Sequence, residues 1–223
     1  MVQLSPVRRF LSFAAIFFEQ LVTVIGLTGG IASGKSTISA YAKQHGAHVI
    51  DADVLGHQAY EPGTDCFDAV VAEFGEDVLA ADGAIDRRAL GAKVFAEGSS
   101  LERLTDIVWP AIKRMAQDEI DRIKRANTRQ IVVLEAAVLL EAGWQDFVDE
   151  VWVVTVDPEV AIARTMARDG LDREAVQSRI DAQITNTERI TKADVVIDNS
   201  STEQALNDTV AEAFDQLSAR SAA

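Results

Sequence analysis

The chain has 223 residues, 48% apolar and 25% charged. These proportions fit one large globular domain, or a core with insertions, and exclude disordered, collagen-like and low-complexity classes. The lone Cys66 cannot close an internal disulfide, and His45, His48 and His57 are too few and too local for a zinc framework. Acidic residues outnumber basic ones 35 to 21, which speaks against a dedicated nucleic-acid binder, since that function needs a basic surface. The first fifty residues depart from this trend, with Arg8, Arg9, Lys35 and Lys43 set against Glu19 alone. If an anionic ligand binds, the first fifty residues are where it is expected.

Arg8 and Arg9 lead into an apolar run over residues 10–18, interrupted by Ser12. Nine residues cannot span a bilayer as a helix, which takes about 20, and no small-residue cleavage site follows. Residues 1–20 read as an N-terminal extension, either a helix lying on the core or the product of a start codon placed too early, with secretory or organelle targeting or adhesion to a membrane surface as alternatives. Residues 21–27 are almost continuously apolar and rich in β-branched side chains, as in strands covered on both faces. Similar runs recur at 48–50, 131–134, 151–156 and 195–197. Helical spacing fills 36–44, 158–168 and 203–217. Strands alternating with helices predict an α/β fold, a parallel five-stranded sheet flanked by helices. The section from 54 to about 125 holds no convincing strand and reads as a helical insertion of several helices. A helix break is expected at Trp109-Pro110, because proline lacks the N–H that continues a helix. Residues 170–192, with Arg173, Arg179, Arg189 and Lys192, are polar and helical in pattern, and read as a mobile appendage.

The strongest local signal is the stretch Gly29-Gly30-Ile31-Ala32-Ser33-Gly34-Lys35-Ser36, followed by Thr37. It fits the phosphate-loop pattern G-x-x-x-x-G-K-[ST], with an apolar strand before it and a helix-period segment after it. The glycines let successive N–H groups turn inward around phosphate oxygens, and the following helix adds its positive end. Lys35 then reaches the β- and γ-phosphates, and the Ser36 hydroxyl is placed to ligate Mg²⁺.

Two segments imitate GTPase motifs, Asp53-Val-Leu-Gly56 and Thr191-Lys-Ala-Asp194. The second precedes an apolar run where a base-reading motif should follow one, and the first lies too close to Lys35 to leave room for a switch segment. A small-molecule kinase fits better. Ile50-Asp51-Ala52-Asp53 ends a short strand and sets two carboxylates at the carboxyl edge of the sheet, where open α/β folds bind ligands. Alternation along an extended segment points Asp51 and Asp53 the same way, toward the loop. One would accept the proton of an attacking hydroxyl, and the other would tune it or hold a water on the metal. The competing explanation for Asp53 is a helix N-cap.

Together, residues 27–37, Val49-Ile-Asp-Ala-Asp53, Asp82-Gly with Asp86-Arg-Arg-Ala-Leu90, and Asp194-Val-Val-Ile-Asp-Asn199 resemble the dephospho-coenzyme A kinase family, from about residue 22 to 215. Residues 133–144 and 105–110 look closest to the kinase domain of bifunctional coenzyme A synthases, without the adenylyltransferase half. The resemblance implies ATP-dependent phosphorylation of the ribose 3′-hydroxyl of dephospho-CoA, with ATP and Mg²⁺ required. It divides the chain into a phosphate-loop core (21–53, 127–169 and 193–223), a helical CoA-binding insertion (54–126) and a lid (170–192). It makes Asp53 the base and Asp51 its partner, gives Lys35 and residues 29–37 to the ATP phosphates, and gives Ser36 to the metal. Arg168 would act on the transferring phosphoryl group, Arg164, Arg179 and Asn199 on the nucleotide, and Arg87 and Glu135 on the acceptor. The alternatives are another small-molecule kinase acting on nucleosides or nucleotides, and a nucleotide sensor without turnover.

Two positions depart from the family pattern. Its Asp-x-Pro-Leu-Leu-x-Glu stretch reads Glu135-Ala-Ala-Val-Leu-Leu-Glu141 here, which puts a direct metal role for Glu135 in doubt. The common His-Pro pair is Trp109-Pro110, and Trp109 is expected to be core rather than a stacking surface for adenine. No nucleic-acid partner is expected, and the default compartment is the cytoplasm.

Overall fold

The computed structural model describes residues 22–96, 98–126 and 130–221. The reading of residues 1–20 lies outside the described residues. Five strands form one sheet: β1 (Val22–Gly29), β2 (His48–Asp51), β3 (Gln130–Glu135), β4 (Glu150–Thr155) and β5 (Val195–Asp198). Their order is β2-β3-β1-β4-β5 and every pairing is parallel. The expected parallel sheet is therefore present. Because β1 is central, its two neighbours run alongside it, and the loop leaving its carboxyl end sits at the middle of the sheet edge.

Both sheet faces are covered, which explains why the strands read as unbroken apolar runs. One face, carrying Ile25, Leu27, Val133, Trp152, Val154 and Ile197, packs on α1 (Lys35–Gln44) and α9 (Glu203–Ser221) through Ile38, Ala42, Leu206, Val210, Phe214 and Leu217. The Trp152 and Phe214 rings meet edge-on, with centroids 5.1 Å apart. The other face, with Val22, Val24, Val132, Leu134, Val151 and Val153, packs on the section between β2 and β3.

That section holds α2 (Ala52–Ala59), α3 (Asp65–Phe74), α4 (Arg87–Ala96) and α5 (Ser100–Arg125). Thr64 caps α3, accepting a hydrogen bond from Phe67 N. The expected break at Pro110 does not occur, since α5 runs through it for 26 residues. Proline removes one backbone hydrogen bond, but Val108, Ala111 and Ile112 on either side are buried, and this packing holds the helix line across the gap. Trp109, partly buried, packs against the same cluster.

Beyond β4 come α6 (Pro158–Asp169), α7 (Arg173–Asp181) and α8 (Asn186–Ile190). Asp157 caps α6 and Pro158 opens it, while Asp172 caps α7. Thr185 and Glu188 form a capping box on α8. None of the described helices is long and apolar enough to cross a membrane.

Candidate active site

The loop between β1 and α1 is built as a cradle. A Cβ on Gly29 would run into the Val154 carbonyl and come within 2.7 Å of Ser33 Oγ, so only glycine lets the loop pass that close to β4. Ala32 (φ +52°) and Gly34 (φ +96°) turn the chain through the left-handed region, which glycine adopts freely and alanine does not. Gly34 is the N-cap of α1 and supplies no side-chain cap, and the first turn of α1 carries no acidic residue. The positive end of that helix is left for an anion. Lys35 Nζ reaches back to the Gly29 carbonyl at 2.9 Å and the Gly30 carbonyl at 3.4 Å. Ser36 and Thr37 are exposed at the mouth. Asn199 lies buried beneath, and its amide donates to the Ser33 carbonyl at 2.8 Å. This side chain holds the loop's shape from below.

Asp51 and Asp53 correct the sequence reading. Asp51 is the last residue of β2 and the N-cap of α2, and its Oδ1 accepts from Asp53 N at 2.8 Å and Val54 N at 3.2 Å. Asp53 lies in the first helical turn, not on an extended segment, so strand alternation does not govern where it points. The capping role weighed for Asp53 belongs to Asp51. Glu135 ends β3 directly opposite Asp51 and also pairs in register with Leu27 of β1.

The three carboxylates share one electrostatic neighbourhood with Lys35. Burial pushes the Lys35 ammonium below its usual value, opposed by the negative charges of Glu135 and Asp53. Burial also raises Glu135, and Asp51 and Asp53 add to the shift, while Ser39 and Lys35 pull it down. Both shifts have the same leading origin, burial that makes each group costly to charge, and each group's charge partly offsets the other's shift. Glu135→Gln is therefore expected to move the alkaline limb of kcat/KM for ATP to lower pH. Losing the carboxylate removes the largest effect holding Lys35 protonated, and the free enzyme's ionisations govern this parameter. A limb that stays in place would show that Glu135 does not set the charge of Lys35.

The predicted arginines fall into different situations. Arg168 is exposed and bound through both Nε (2.7 Å) and Nη2 (3.0 Å) to Asp169. Arg179 is exposed and 3.8 Å from the same carboxylate. Arg164 is half-buried, and its Nη1 is buried without a hydrogen-bond partner. Arg87 stands apart, exposed at the first position of α4 in the helical section.

Three residues missed from sequence contact or adjoin the loop from the segment between β4 and β5. Gln183 Oε1 accepts from Ile31 N at 3.1 Å, and Asn186 Nδ2 donates to the Val156 carbonyl at 3.2 Å. Arg189 is buried next to Gly30. With Gly30, Ile31 and Val156, these side chains line a cavity of about 420 Å³. Asp51, Asp53 and Glu135 lie outside its lining; Glu135 and Asp53 are coupled to the cradle through Lys35, and Asp51 through Glu135. Nothing in the sequence distinguishes Arg189 from Arg173 or Lys192. The Thr185-x-x-Glu188 capping signature alone could have placed a helix start just before it. The GTPase-like Asp194 is structural, accepting a hydrogen bond from Val151 N at 2.7 Å.

Comparison with known proteins gives a consistent result. The family model for dephospho-CoA kinase matches residues 23–205. A dephospho-CoA kinase of Geobacter sulfurreducens is 47% identical over 191 residues, covering 86% of this chain and 96% of the relative. Among solved structures, TT1252 from Thermus thermophilus superposes with a TM-score of 0.72 at 31% identity, over 87% of this chain and 97% of that one. The dephospho-CoA kinase from Campylobacter jejuni gives 0.67 at 25% identity, over 88% and 97%. With a family match across most of the chain and a relative of this identity and coverage, the chain belongs to the dephospho-CoA kinase family.

Proposed function

We propose that this chain transfers the γ-phosphoryl group of ATP to the ribose 3′-hydroxyl of dephospho-CoA, releasing ADP and coenzyme A. The observation that carries the reading is the junction at the sheet edge. A phosphate cradle on β1 and carboxylates from the ends of β2 and β3 meet at Lys35. In this reading the loop amides and Lys35 hold the phosphate oxygens, and Asp53 orients the acceptor hydroxyl and takes its proton as oxygen bonds to phosphorus. The bridging oxygen leaves with ADP. Asp51, by capping α2, positions Asp53.

The donor set suits Mg²⁺, which binds few protein oxygens and takes the rest from phosphates and water. The exposed Ser36 hydroxyl and the nearby carboxylates provide such oxygens. When bound, the ion neutralises charge on the phosphate oxygens. The segment containing α7 and α8 lies over the loop and keeps water from the transferring group, since an open site would hydrolyse ATP. The cytoplasm, with its supply of ATP, is the compartment that fits.

A coupled assay of ADP release tests the reading, with dephospho-CoA, adenosine, AMP or no acceptor offered beside ATP and Mg²⁺. Release that is fastest with dephospho-CoA is expected. A preference for adenosine or AMP would replace the substrate assignment, and no release with any acceptor would replace the enzyme by a nucleotide sensor.

A further inference from the structure

The five arginines from α6 to α8 differ in what they already hold, and half-buried Arg164 leaves only Nη1 buried without a partner. Arg168 and Arg173 are each held by two hydrogen bonds to one surface carboxylate, with Arg173 meeting Glu159 at 2.8 and 2.5 Å. Arg179 is exposed and lies near the carboxylate that holds Arg168. Arg189 is the opposite case. It is 2% exposed, and its Nε and Nη2 are buried without hydrogen-bond partners. A guanidinium cannot shed its proton to escape such a position. Its one ion-pair contact among the described residues is Glu141, with Nη2 3.8 Å from Oε1, too long for a hydrogen bond.

On its other side is the phosphate loop. Nη1 would lie 3.5 Å from a Cβ placed on Gly30, so the guanidinium rests against the loop backbone, and it lines the cavity shared with Gly30 and Ile31. A buried cation with free donors, beside a helix N-terminus that has no acidic residue and no side-chain cap, is matched by an anion between them. We propose that Arg189 binds the terminal phosphates of ATP from the side opposite Lys35, and that Glu141 keeps its guanidinium in place while the site is empty. This rests on the kinase reading only in the identity of the nucleotide. It assigns the phosphate contact on this side to a residue from α8, close to the strand–helix core, and not to the exposed arginines of α6 and α7.

Arg189→Met, Arg189→Lys and, as a control, Arg173→Met test the assignment in the full chain. Four quantities are measured: melting temperature with and without Mg²⁺-ATP, ATP affinity by calorimetric titration, dephospho-CoA affinity alone, and steady-state kcat and KM. Arg189→Met is expected to lower ATP affinity at least tenfold and to shrink the ATP-induced rise in melting temperature. Dephospho-CoA binding should stay within twofold, Arg189→Lys should recover part of the ATP affinity, and Arg173→Met should match the parent.

ATP affinity within twofold of the parent in folded Arg189→Met overturns the proposal. Equal loss of both ligands with a lower melting temperature, not rescued by lysine, also overturns it, because that pattern marks a purely structural arginine. If Arg189→Met does not fold, Arg189→Lys carries the test, since it offers a point charge without the planar fork. It should weaken ATP at least threefold and leave dephospho-CoA unchanged, and no change in ATP overturns the assignment. A parent enzyme that binds ATP but ignores dephospho-CoA would sink the substrate reading and leave the Arg189 result standing on ATP binding alone.

Discussion

Asp53→Asn is expected to lower kcat by at least about a hundredfold, within the range of a positioned general base, while ATP binds with nearly parental affinity. The fold makes this substitution unusually clean. The cap of α2 is Asp51, whose Oδ1 takes both Asp53 N and Val54 N, so the helix start survives the loss of the Asp53 carboxylate. Asparagine keeps the size of the side chain and its ability to hydrogen-bond the acceptor hydroxyl, but it cannot take up the proton. Asp51→Asn is the natural comparator, because asparagine caps a helix about as well as aspartate. It should retain much more turnover than Asp53→Asn. Steady-state kcat for both variants, with ATP titrations, checks the ordering. Near-parental turnover in Asp53→Asn would end its assignment as the base.

The strands were readable because both faces of the sheet are buried, which leaves little room for polar residues in β1, β3 or β4. The phosphate loop was readable because its glycines answer to backbone geometry, which leaves a fixed spacing in the chain. What escaped was decided by tertiary contacts. Pro110 signals a break by local chemistry, yet Val108, Ala111 and Ile112 are held by the core and carry α5 through it. That the helix cap falls on Asp51 and not on Asp53 turned on where β2 hands over to α2, a boundary that two residues of sequence do not fix. Arg189 was hardest to see. Its burial comes from a five-residue helix folded back over Gly30 from beyond the fourth strand, and neither its neighbours nor its spacing records that fold.

Lys35→Ala is expected to reduce kcat/KM for ATP at least a hundredfold, about 2.7 kcal/mol of transition-state stabilisation. Two losses combine. The phosphates lose the cation that meets charge developing at the transferring group, where electrostatic stabilisation carries most of the catalysis. In addition, Glu135 and Asp53, whose negative charges act on Lys35 in the parent, are left facing the incoming phosphates without it. That second loss predicts a coupling. If part of the damage is repulsion from Glu135, then Glu135→Gln added to Lys35→Ala should cost less than the sum of the two single effects. Neighbouring charges generally show such non-additivity. Melting temperatures separate this from a collapsed loop, because Lys35 also bridges the Gly29 and Gly30 carbonyls. A folded Lys35→Ala variant with unchanged kcat/KM would contradict the role of the cradle itself. Strict additivity with Glu135→Gln would instead confine the effect to the lost cation.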